Sequence, residues 1–124
     1  MSINSYHDLI VWQKSIDLVV EVYKLIKLLP KEELYALSSQ LRRSVISIPS
    51  NIAEGQQRHT AKEFVNFLSV ARGSNGEVQT QLIICVRLGY LSDEQVLSAM
   101  SLSEEISKML SRLIEKLSRN NTDH

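Results

Sequence analysis

The residues of this chain best placed to do chemistry sit in "SVISIPSNIAEGQQR" and just before it. Arg43, Ser47, Asn51, Glu54 and Arg58 follow a 4-4-3-4 spacing. On a helix that spacing gathers them into an arc of about 80°, roughly 130° from the apolar stripe of the same segment. Downstream, Asn66, Gly73, Glu77 and Gln81 make a comparable stripe. A serine in such a row becomes a nucleophile when a histidine and a carboxylate are aligned beside it. The three histidines are His7, His59 and His124; the first two fall at expected helix ends and the third at the chain's end. The single cysteine, Cys85, falls on an apolar helix face, the place of a packed and inert thiol. No Glu-x-x-His spacing of a bundle metal site occurs, nor a glycine-rich phosphate loop. The pattern therefore points away from an enzyme, a cofactor, a metal or a small-molecule substrate. Two readings of the polar row remain: a solvated face, or a seam in which Arg43 or Arg58 pairs with Glu54 or Glu77 across helices or subunits.

Four helices are expected to position these residues. The first spans about 8–29, with Asp8 as N-cap and Pro30 as its stop. Leu9, Trp12, Ile16, Val19, Tyr23 and Ile26 recur at 3-4-3-4-3 and give it a core face. Val11, Leu18, Val22, Leu25 and Leu29 form a second stripe, roughly opposite. A four-helix bundle has no central helix, so that second stripe is expected to bury against another copy of the chain; the alternative is an irregular bundle in which loops or the chain ends cover it.

The second helix is expected over about 31–56, with Leu34, Leu37, Leu41, Val45, Ile48 and Ile52 inward and Pro49 bending it without a break. The third covers about 60–88, opened by a Thr60/Glu63 capping box, with Phe64, Leu68, Ala71, Val78, Leu82 and Cys85 inward. Gly73, Ser74, Asn75 and Gly76 disfavour that helix by about a few kcal/mol, an expense that close approach of another backbone would offset. The fourth spans about 92–119, capped by Ser92 and Gln95, with Leu102, Ile106, Met109, Leu110, Leu113 and Leu117 inward. Short connections between long helices predict an all-α, antiparallel, up-down-up-down four-helix bundle over residues 1–124 as one domain.

Composition narrows the setting. Fourteen Lys+Arg balance fourteen Asp+Glu, so no overall basic excess is available for nucleic acid and a local patch would have to serve. One cysteine excludes an internal disulfide. With no secretion signal in "MSINSYHDLIVWQKS" and no membrane-length apolar run, a cytoplasmic protein is expected.

Three stretches carry a resemblance: "HDLIVWQKSIDLVVEVYKL", "LPKEELYALSSQLRRSVISIPSNIAEGQQR" and "EFVNFLSVARGS…E…QL…RLGYL". Over about residues 6–118 the chain resembles the four-helix-bundle proteins encoded by intervening sequences of bacterial 23S rRNA genes. Trp12, Arg42, Arg43, Ser47, Ile48, Pro49, Asn51, Ala53, Glu54 and Gly55 carry it, as do Arg72, Gly73, Ser74 and Glu77. Asn75 departs from the family pattern, where an apolar residue is commoner, and so puts a polar group at a near-core position. The resemblance implies a bacterial homo-oligomer, a ring-shaped homopentamer in related members. A similar protein, the accessory subunit of diversity-generating retroelements, binds nucleic acid through a basic surface that this neutral chain does not share. The expected function is a non-enzymatic, homo-oligomeric scaffold associated with RNA. Arg42, Arg43, Arg58, His59, Lys62 and Arg72 are the candidate contacts. The alternative is a protein-interaction module.

Overall fold

The computed structural model describes residues 9–122, with side chains as far as Arg119. His7, Asp8 and His124 lie outside the described residues. The described chain is all helical: α1 (Ile10–Ile26), a short 3-10 turn (Lys31–Glu33), α2 (Leu37–Gln56), α3 (Ala61–Arg87) and α4 (Asp93–Thr122). Each long helix packs on its neighbours in sequence, and α4 closes back on α1. Among the described residues the backbones of the diagonal pairs, α1 with α3 and α2 with α4, stay more than 8 Å apart. Side-chain partners run in falling register. Ser44 meets Gln81 and Ser47 meets Ser74 between α2 and α3. Between α3 and α4, Gln79 meets Ser103 and Arg72 meets Ser111. Between α1 and α4, Lys14 meets Glu105 and Glu21 meets Ser98.

The helix ends follow from local chemistry. Glu63 N–H donates to Thr60 Oγ1 at 3.1 Å, and the Thr60 hydroxyl donates to Glu63 Oε1 at 3.0 Å. Ser92 and Gln95 close the reciprocal box: Ser92 N–H donates to Gln95 Oε1 and Gln95 N–H to Ser92 Oγ. α3 ends in a Schellman motif, with Gly89 at φ +80°, Gly89 N–H donating to Val86 O and Tyr90 N–H to Cys85 O.

The second helix begins at Leu37, six residues later than the sequence suggests. Glu33 explains the delay. Its Oε1 accepts from the Leu37 N–H at 3.4 Å and its Oε2 accepts from the Tyr90 hydroxyl at 2.8 Å. One carboxylate thus holds the start of α2 and ties it to the α3–α4 turn. Leu34, expected in the core, is exposed instead.

The core is built from Leu41, Val45, Ile48 and Ile52 of α2, Leu68, Ala71, Val78, Leu82 and Cys85 of α3, and Ile106 and Leu110 of α4. The first helix departs from its expected faces through its middle turns. Leu18 and Val22 are 0% exposed, and Val11 and Leu25 are buried, so four of the five residues expected at a subunit interface are core; Leu29 is half-buried. Of the other stripe, Leu9 and Ile26 at its two ends are buried as expected, whereas Ile16 is 37% exposed and Trp12, Val19 and Tyr23 are only partly covered. Ser15 is the reason. It is fully buried, and its hydroxyl donates to Trp12 O at 2.7 Å, which lets a polar residue occupy the inner stripe between Val11 and Leu18.

The third helix runs through Gly73–Gly76 without interruption. A Cβ at Gly73 or Gly76 would meet nothing within 4 Å, so no backbone approaches there within the chain. The close approach is at Gly55, where a Cβ would lie 2.7 Å from Phe67 Cβ and 3.2 Å from the Phe64 carbonyl oxygen. Gly55 stays helical; it admits α3 and does not turn the chain. Pro49 is buried inside α2, which continues past it to Gln56.

Candidate functional site

The polar row of α2 faces a polar row of α3 along their shared groove. From α2 come Gln40, Arg43, Ser44 and Ser47; from α3 come Ser74, Glu77 and Gln81; they enclose a cleft of about 460 Å³. The Ser47 and Ser74 hydroxyls bond each other at 2.8 Å. Asn51 Nδ2 donates to both Ser47 O and Ser47 Oγ, at 2.8 and 2.9 Å. Gln81 Nε2 donates to Ser44 Oγ at 3.2 Å, and Gln81 Oε1, buried, has no partner. Ser44, Ser74 and Gln81 are themselves buried.

The seam therefore exists at Ser47 and Asn51, with Arg43 and Glu77 on its open rim, but no ion pair crosses it among the described residues. Arg58 pairs locally instead, with Glu54 Oε1 at 2.7 Å, an i,i+4 ion pair. Its guanidinium also lies 4.8 Å from the centre of the Phe67 ring, a cation–π contact. Gln40, Ser44 and Ser74 are seam residues that the sequence reading left out. The signal for Gln40 and Ser44 is the 4-3-4 spacing of Gln40, Ser44, Ser47 and Asn51; Ser74 has no such signal.

The six basic candidates do not form one patch on a single chain. Arg58, His59 and Lys62 cluster at the α2–α3 connection, all exposed. Arg43 lies about 20 Å back along α2 at 1.5 Å per residue. Arg72 turns toward α4, with Nη1 donating to Ser111 Oγ at 3.3 Å. Arg42 is half-buried and in helical phase with Ile46, Pro49 and Ala53.

Two further grooves are apolar. Trp12, Ile16 and Val19 of α1 face Ile46, Pro49 and Ala53 of α2 across one of them, with Ser50 at its side. Ile83 and Val86 of α3 face Val96, Leu97 and Met100 of α4 across the other, flanked by Arg87 and Asp93. In the four-helix circuit the α1–α2 and α3–α4 edges lie on opposite sides.

Cys85 is fully buried, and burial, aided by the negative charge of Glu33, pushes its thiol pKa up to about 11. Tyr90 also ionises above its ordinary range, first because its hydroxyl donates to the Glu33 carboxylate. Among the described residues no three His, Cys, Asp or Glu side chains are grouped to hold a metal ion. No helix of the described residues is long and apolar enough to cross a membrane.

Among the described residues, fold and grooves together define an all-helical, four-helix arrangement with a polar furrow between α2 and α3 and apolar furrows between α1 and α2 and between α3 and α4. The chain belongs to the 23S rRNA-intervening sequence protein family, which it matches over residues 7–112. It is similar to a crystal structure of a protein of unknown function from the S23 ribosomal protein family of Bacteroides thetaiotaomicron. The two share 32% identity and a TM-score of 0.79, over 85% of this chain and 98% of that one. No curated protein matches it.

Proposed function

We propose that this chain is a non-enzymatic, self-assembling, up-down-up-down bundle, bent at Pro49, whose assemblies act in the cytoplasm as an RNA-associated scaffold. The observation that carries the assembly is the pair of apolar grooves on opposite sides. Ile16, Ile46, Ile83 and Leu97 are between 37% and 63% exposed, a costly amount of apolar surface for a chain working alone. Two different patches on opposite sides favour a head-to-tail contact, which closes into a ring when the rotation permits, over a two-fold contact of one patch with itself.

Ring formation also answers the charge problem. A neutral chain with scattered arginines repeats Arg43, Arg58, His59 and Lys62 around an assembly and so concentrates positive potential. The family's link to 23S rRNA intervening sequences makes structured RNA the natural test ligand.

Light scattering tests assembly: the expected mass is a multiple of 14.1 kDa, and a monomer at micromolar concentration would remove the proposal. Filter binding with structured RNA tests the second step. Affinity should fall steeply with salt, and no binding at about 50 mM salt would remove the RNA role while leaving the assembly standing. A monomer that co-purifies with a nuclease-resistant protein would favour the interaction-module alternative.

A further inference from the structure

One side chain stands apart among the described residues. Tyr35 is 91% exposed, more than any other large apolar side chain, and Leu34 before it is exposed too. Both lie in the turn between the 3-10 segment and α2. That turn is tied down. Ala36 N–H donates to Glu33 O at 3.1 Å, and the Glu33 carboxylate accepts from Leu37 N–H and the Tyr90 hydroxyl. The ring is therefore held out on a fixed turn, at the same end of the bundle as the α3–α4 turn and the exposed Leu88. Tyrosine is among the residues most enriched as interface anchors, because its large, rigid ring buries much area at small entropic cost.

The α1–α2 groove is suited to such a ring. It holds about 330 Å³, and its walls are Trp12 and Ile16 from α1 and Ile46 and Ala53 from α2, all partly open to solvent. Trp12 offers an aromatic partner, and the exposed Ser50 at the groove's side offers a hydroxyl for the tyrosine's own. Charge agrees. Arg42 lies one helical turn from Ile46 and carries no ion pair among the described residues. The same holds for Glu32, three residues before Tyr35 and exposed. An acidic, aromatic turn thus matches an apolar groove with a cation at its edge.

We propose that Tyr35 of one copy inserts beside Trp12 in the α1–α2 groove of the next copy, with Glu32 set against Arg42. The contact rests on the self-assembly proposed above and names the side chain that carries it. Donor and acceptor are different surfaces of the same chain, so each copy gives one tyrosine and receives one, head to tail. The bond between Glu33 and Tyr90 makes the donor turn continuous with the α3–α4 side of the bundle.

The test combines light scattering with the emission of Trp12, the chain's one tryptophan. Dilution of the wild type through dissociation should shift that emission to the red. Y35A should weaken association at least tenfold and show the red-shifted emission where the wild type is still assembled. Its helical circular dichroism should be unchanged, because residue 35 is exposed. E32Q and R42Q should each weaken association about threefold, and the double variant no more than either alone. Mixing separates donor from acceptor: Y35A keeps the groove and I46E keeps the tyrosine. At a concentration where neither assembles alone, the mixture should form a pair of twice 14.1 kDa. A monomeric wild type would remove self-assembly and this contact with it. A wild-type assembly whose mass and Trp12 emission survive Y35A, or a Y35A and I46E mixture that stays monomeric, would overturn the contact and leave self-assembly standing.

Discussion

Asn75 and Ser103 hold α3 and α4 together by two bonds inside the core. Asn75 Nδ2 donates to the Ser103 carbonyl at 2.8 Å, and Ser103 Oγ donates back to Asn75 Oδ1 at 2.6 Å. Gln79 Nε2 donates to the same hydroxyl at 2.8 Å. The asparagine that departs from the family pattern is thus fully answered, although only 1% exposed. Asn75→Ala removes both bonds and leaves a small cavity. It is expected to cost about 2–4 kcal/mol in urea unfolding. Ser103→Ala removes the hydroxyl that donates to Asn75 and accepts from Gln79, and should cost about 1–3 kcal/mol. Because the two residues share one network, the double variant should cost clearly less than the sum. Strict additivity would mean the pair does not act as a unit.

The glycines divide in sign. Gly55→Ala puts a methyl 2.7 Å from Phe67 Cβ and close to the Phe64 carbonyl, so the α2–α3 crossing must open. A loss of about 1–3 kcal/mol is expected. Gly73→Ala and Gly76→Ala meet nothing within 4 Å on a helix interior and should each stabilise the single chain by about 0.5–1 kcal/mol. Thermal melting read beside light scattering separates the cases. A stabilised chain of smaller assembled mass would place another subunit's backbone against Gly73 or Gly76.

Alkaline pH should loosen the fold. Cys85 binds its proton up to about pH 11 in the folded chain, against an ordinary thiol value of 9.0. Between those values the folded state holds a proton that the unfolded state has released, so stability falls as pH rises, by up to about 1.4 kcal/mol per unit. Tyr90 is raised in the same direction by its bond to Glu33, and pushes the same way. Cys85→Ala should flatten the decline above pH 9 in denaturant titrations. In the native protein at pH 8 the thiol should react with a maleimide only at the rate of opening. Fast labelling would mean Cys85 is not buried.

Helix number, the caps at Thr60 and Ser92 and most of the core of α2, α3 and α4 were legible because each depends on residues a few positions apart. What was not legible depends on partners far away in sequence. Glu33 delays α2 by reaching Leu37 on one side and Tyr90 on the other, and no local pattern announces a carboxylate shared with residue 90. Half of the polar seam was readable from α2 alone. Its other half, Ser74, reads locally as a poor helix former, and its role depends on the bond to Ser47 on another helix. Small hydroxyls are ambiguous in this way, since a buried serine can satisfy itself on its own helix or bridge to the next.

Ser15 posed the same ambiguity in α1, and it sets up the sharpest contrast between two neighbouring positions. Two apolar stripes run along this helix, and only burial decides which faces inward. Leu18 is 0% exposed and Ile16, two residues away, is 37% exposed at the apolar α1–α2 groove. Leu18→Glu buries a charge without a partner and is expected to unfold the chain or cost more than about 4 kcal/mol. Ile16→Glu places its charge at the groove and should cost the single chain less than about 1 kcal/mol. If the groove is a subunit contact, Ile16→Glu and Ile46→Glu should lower the light-scattering mass toward 14.1 kDa with the helical circular dichroism kept. The α3–α4 variant Leu97→Glu should do the same, since a head-to-tail contact needs both patches. Dissociation by the α1–α2 variants with Leu97→Glu left assembled would instead indicate a two-fold contact through one groove. A mass untouched by all three would place the assembly surface elsewhere.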